Sequence, residues 1–129
     1  MQVHSESGKV ALAAHILSVS YDEPLLRTRE LLLRREGYRV SSALGFTDAS
    51  EHCRNGEFDL FIVGHSIPGR DKRELIRVFR TQSHAPVLAL QRHGEDSDDD
   101  ADAHALPDDI EALLDTVQKI VSKKRSTPS

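Results

Sequence analysis

The chain has 129 residues, 38% hydrophobic and 29% charged, with a formal net charge of -4 and one cysteine. That length suits a single domain with its own core, and the acidic balance argues against nucleic acid as the main partner. The lone Cys53 excludes an internal disulfide and fits a reducing cytoplasm, while no apolar run approaches the roughly 18 residues of a membrane span.

Residues 1–13 are polar, lack the basic-then-apolar layout of a signal peptide, and read as a loosely held extension to a domain over 14–122. From there short apolar runs alternate with helical patterns, the signature of βαβ units and a parallel sheet. The first strand is expected over 15–20. A helix follows over 24–36, with Pro24 tolerated in its opening turn, Gly37 as its stop, and Leu25, Leu26, Leu32 and Leu33 forming a stripe. A second strand over 38–43 leads to a helix over 48–54, opened by Asp48 with Glu51 three residues later. The third strand, 60–64, precedes a helix over 72–81, where Asp71 and Glu74 repeat that spacing. A fourth strand is expected over 86–90, and the segment after it, Gln91 to Asp100, is acidic and has no apolar face, so a full helix is not expected there. A short fifth strand over 103–106 and a helix over 109–122 complete the domain. Ile110, Leu113, Leu114, Val117, Ile120 and Val121 give that last helix a 3.6-residue period. Residues 123–129 read as a frayed tail whose Lys123-Lys124-Arg125 cluster suits a helix C-terminus.

The run Phe58-Asp59-Leu60-Phe61-Ile62-Val63-Gly64-His65-Ser66-Ile67-Pro68-Gly69-Arg70-Asp71 resembles the central strand and following loop of a bacterial response-regulator receiver domain. In that family the pattern is Phe-Asp-Leu, three apolar residues, a phosphoryl-accepting aspartate, then Met-Pro-Gly and a further Asp. Ile16-Leu17-Ser18-Val19, Arg35-Glu36-Gly37-Tyr38-Arg39-Val40, Pro86-Val87-Leu88-Ala89-Leu90 and Ala101-Asp102-Ala103 extend the resemblance over about residues 14–122. It implies a flavodoxin-like, doubly wound, five-stranded parallel sheet of receiver type, with the fourth helix shortened or absent.

Carried over position by position, the family's site is missing. Ser20 and Tyr21 stand in place of the acids that hold Mg²⁺, with Asp22 and Glu23 one step further on. Gly64 replaces the nucleophile, Gln91 the hydroxyl residue, and Leu106 the lysine. Glycine has no side chain with which to attack phosphorus, and Mg²⁺ needs hard oxygen ligands. The expectation is therefore a stand-alone pseudo-receiver: no enzyme, no cofactor and no metal, acting in the cytoplasm through a protein partner or a homodimer. Gln91 and His104 take the positions of the family's switch residues, and a titrating His104 could lend a pH response. Two alternatives stand beside this reading. One is a small-ligand or anion sensor using His65, Arg92 and His93 at the strand ends, where open α/β sheets bind ligands. The other is a conventional phosphorelay receiver whose acceptor lies elsewhere, with Asp22, Asp59 and Asp71 the nearby acids; Asp59 is expected at the start of a strand and Asp71 at a helix cap, both away from the site.

Three further patterns are read as structural. Gly64-His65-Ser66 lacks the second glycine of a nucleophile elbow. The Asp96-x-Asp98-x-Asp100-x-Asp102 run has neither the Gly nor the Glu of a calcium loop. Cys53, four residues after Ala49, is expected to pack against the sheet.

Overall fold

The computed structural model describes residues 13–92 and 101–126, with side chains through Ser122. Five strands, β1 (His15–Ser20), β2 (Arg39–Leu44), β3 (Leu60–Val63), β4 (Val87–Leu90) and β5 (Ala103–Ala105), form one sheet in the order β2-β1-β3-β4-β5. Every pair is parallel, from His15 opposite Arg39 to Leu90 opposite Ala105. Four helices are described: α1 (Glu23–Arg35), α2 (Phe46–Asn55), α3 (Gly69–Gln82) and α4 (Ile110–Ser126). The expected interruption between the last two strands falls largely on 93–100, outside the described residues.

The two faces of the sheet carry separate cores. Leu17, Val19, Phe61, Val63 and Val87 meet α2 and α3 through Ala49, Cys53, Leu75, Ile76 and Phe79. Phe61 and Phe79 stack with ring centroids 4.2 Å apart. On the opposite face Ile16, Leu60, Ile62, Leu88 and Leu90 meet Leu33 of α1 and Leu113, Val117 and Val121 of α4. Strands buried on both faces read as continuous apolar runs, as β3 (LFIV) and β4 (VLAL) do.

Element boundaries follow local chemistry. Asp22 caps α1, its carboxylate accepting from Leu25 N at 3.1 Å. Gly37 ends that helix at φ 97°, a left-handed conformation that favours glycine. Tyr38 N turns back to Leu33 O, so β2 starts at Arg39, one residue later than expected. Pro86 has no N–H to give the ladder, and β4 starts at Val87. Both helices expected to open on an aspartate open earlier. Gly45 precedes α2 and Pro68 precedes α3, leaving Asp48 and Asp71 inside the first turn. There a carboxylate favours the dipole without being the cap. The last helix runs through Ser126, so the residues read as the start of a frayed tail continue it.

Candidate functional site

The C-terminal ends of β1 and β3 lie side by side, and Gly64 N donates to Val19 O at 2.9 Å. Ser18 and Ser20 are fully buried at the end of β1. Ser20 Oγ accepts from Asp22 N (2.9 Å) and meets Ser66 Oγ at 3.2 Å; Ser66 Oγ also accepts from Tyr21 N (3.2 Å). These bonds tie the loop after β1 to the loop after β3. Tyr21 completes the tie by donating its hydroxyl to Asp71 of α3 at 2.9 Å. Burial, reinforced by that carboxylate, pushes the Tyr21 phenol up to about 12. Asp71, expected to face away, thus reaches the strand-end loops through Tyr21, while Asp59 accepts from His15 N at the opposite end of the sheet, as expected.

Gln91 follows β4 and is held by its backbone N–H to Ala105 O. Leu106 follows β5 and is half-buried. His65 and Arg92 are brought together, with Arg92 Nη2 3.1 Å from His65 Nε2, whereas His93 lies outside the described residues. His104 is exposed on the edge strand β5. Cys53 is buried as expected, and burial pushes its thiol up, away from reactivity. Asp102, the last acid of the supposed calcium run, accepts from Val87 N at 2.7 Å and Arg80 Nη1 at 3.0 Å; its role here is structural.

The residue that sequence reasoning missed is Arg29. It sits on α1 between Leu26 and Leu33, on the stripe that faces the sheet, and is 6% exposed. Its Nη1 donates to Ser18 Oγ at a long 3.4 Å, and both terminal nitrogens lie 3.5 Å from where a Cβ on Gly64 would stand. That Cβ would also come within 3.1 Å of Val19 O. Burial draws the Arg29 guanidinium down to about 10, so it stays cationic at neutral pH. The signal was present in the chain: a basic residue three after Leu26 and four before Leu33, on an otherwise apolar stripe.

This donor set does not fit a magnesium ion. Ser20 and Tyr21 offer hydroxyls, Asp22 Oδ1 caps α1, Asp71 Oδ2 accepts from Tyr21, and a guanidinium stands beside Gly64. Hard divalent cations take carboxylates here, and a neighbouring fixed cation opposes them. Among the described residues no group of three or more His, Cys, Asp or Glu side chains could hold a metal.

No protein-family profile matches the chain. It is similar to the transcriptional regulatory protein AfsQ1 of Streptomyces coelicolor, 29% identical over 83 residues, a stretch covering 64% of this chain and 37% of that protein. Among solved structures it is similar to a two-component response regulator from Clostridium difficile, with a TM-score of 0.78, 18% identity, and coverage of 88% of this chain and 99% of that one. The receiver domain of a sensor histidine kinase from Pseudomonas aeruginosa gives a TM-score of 0.74 at 20% identity, over 85% of this chain and 98% of that one; its cleft holds a magnesium ion. Strand order, parallel register and these likenesses define the class: the fold is that of the response-regulator receiver domains.

Proposed function

We propose that the chain is a receiver-fold signalling module that works by protein–protein contact without being phosphorylated. The observation that carries this reading is the pairing of Gly64 with the Arg29 guanidinium, at the strand end where the resemblance puts a nucleophilic aspartate. A receiver site needs an anionic acceptor and a bound dication. Here the acceptor has no side chain, and the nearest charge has the sign that repels the metal. The net charge of -4 supports a protein rather than a nucleic-acid partner, and among the described residues no helix is long and apolar enough to cross a membrane. The cytoplasm, with a receiver-like partner face around β4, β5 and α4, is the setting this reading assigns.

The test is incubation of the full chain with acetyl phosphate and Mg²⁺, followed by intact-mass measurement and amide NMR with beryllofluoride. The expected result is no phosphoryl adduct and no Mg²⁺-dependent shifts at Ser20, Gly64 or Gln91. A stoichiometric adduct on an aspartate, cleaved by hydroxylamine, would return the chain to the conventional phosphorelay class.

A further inference from the structure

One edge of the sheet is β2, and its register decides which backbone groups it turns outward. Arg39 N donates to Ala14 O and Gly45 N to Ser20 O, so Arg39, Ser41 and Ala43 face β1. Val40, Ser42 and Leu44 therefore turn their backbone groups away from the sheet. Side chains cover two of these groups. Arg34 Nη2 donates to Val40 O at 2.9 Å, and Leu44 N donates to Asp48 Oδ2 at 3.0 Å. Between the two caps, both backbone groups of Ser42 have no hydrogen-bond partner among the described residues.

The charges along this edge differ in sign from end to end. Arg34 and the exposed Arg39 stand at the Val40 end. Asp48 and Glu23 stand at the Leu44 end, beside an open groove of about 250 Å³ that Leu26 and Leu44 also line. Glu30, midway, is held within the chain by Arg34 Nε at 3.0 Å and Ser42 Oγ at 2.8 Å. Charges of one sign along an edge repel any second copy and so protect it. Opposite signs at opposite ends repel a parallel copy, while a copy turned end for end meets the opposite sign at both ends.

We propose that the β2 edge is a homodimer interface, where two copies join antiparallel about Ser42 into one continuous sheet. Each Ser42 exchanges both backbone bonds with Ser42 of the second copy. Val40 of each copy then falls opposite Leu44 of the other, which brings each Arg34 guanidinium to an Asp48 carboxylate and covers Leu44, 44% exposed in the single chain. Such a contact is isologous and closes at two copies. A short edge flanked by α1 buries little area, so the dimer is weak and forms as concentration rises. The proposal goes beyond the contact-module reading and leaves β4, β5 and α4 free for another protein. It needs nothing from the strand-end site, so its failure leaves that reading untouched.

The test is sedimentation velocity of the full chain over a concentration series, with ¹⁵N NMR on the same samples. The expected result is a reversible monomer–dimer equilibrium, with concentration-dependent shifts at the Ser42 and Leu44 amides and none in β5. Ser42→Pro removes the central N–H at an edge position turned away from β1, so it should keep the fold and abolish the dimer. Arg34→Glu and Asp48→Lys should each weaken dimerisation by at least about tenfold, because like charges then meet. Mixing those two variants should restore association, since each supplies the sign the other lacks. If Ser42→Pro does not fold, the mixing experiment decides; if a charge variant does not fold, Ser42→Pro decides. A chain that stays monomeric up to about 1 mM overturns the proposal and leaves the edge to a strand of another protein. So does a dimer whose shifts fall on β5 or α4 with Ser42 unmoved, a Ser42→Pro protein that still dimerises, or a charge-variant mixture that associates no better than its components.

Discussion

The Tyr21 hydroxyl joins the loop after β1 to the first turn of α3 with a single bond to Asp71. Tyr21→Phe removes the donor while keeping the ring, and leaves Asp71 to water on its half-exposed side. The expected cost is about 1 kcal/mol in urea denaturation, since one net hydrogen bond is lost and no cavity forms. A change of more than about 3 kcal/mol would mean that the tie organises the whole strand-end region. Arg29 is the opposite case, a residue whose local energy is unfavourable. Its lowered pKa corresponds to roughly 3 kcal/mol of destabilisation that is fully present at neutral pH, where the buried group is charged. The cost is relieved only as pH rises past about 10, because above that value the folded protein releases a proton that the unfolded chain still holds.

At the scale of elements, β5 is held less by its own three residues than by the one before them. Asp102 N donates to Val87 O, and its carboxylate accepts from Val87 N and from Arg80 of α3, clamping the end strand to both β4 and a helix. Asp102→Ala strands the Val87 N–H at the start of a buried strand. The expected loss is about 1–3 kcal/mol, with hydrogen exchange accelerated in β5 ahead of β1 and β3; uniform acceleration across the sheet would show that β5 has no separate stability. The elements themselves were legible because alternation and period are dictated by burial. Apolar runs and 3.6-residue stripes place the strands and the first and last helices, while the two middle helices are placed by their Asp48/Glu51 and Asp71/Glu74 spacing and open two or three residues earlier. What the pattern could not give was the role of charged residues. Asp48 and Asp71 mark first turns rather than caps because a carboxylate is favoured at several positions near a helix N-terminus. Arg29 sits on an apolar stripe, yet spacing alone cannot reveal that α1 packs tightly enough to bury it or that its fork meets Gly64. Likewise the Gly64 substitution was visible in the chain, while the cation opposite it needed three dimensions.

For the molecule as a whole, one pH dependence of stability arises at the end of the sheet remote from the candidate site. His15 opens β1, its ring placed between Glu57 O at 2.9 Å and Ser41 Oγ at 2.8 Å. Burial, aided by Arg39, lowers its pKa below the usual 6.5, outweighing the Glu57 carbonyl and Asp59. The unfolded chain therefore binds this proton first. Stability from the neutral ring is complete above pH 6.5 and is lost as pH falls through the folded value. Denaturation midpoints should thus drop between about pH 7.5 and about pH 5, and His15→Gln should show a smaller drop. An equal drop in the variant would move the cause to other groups. The all-parallel register also has a kinetic consequence. With no hairpin in the sheet, pairing Ile16 with Leu60, His15 with Arg39 or Phe61 with Val87 each closes a long loop that contains at least one helix. Its refolding is expected with the slower, topology-limited domains rather than with the helical bundles that its helix content would suggest.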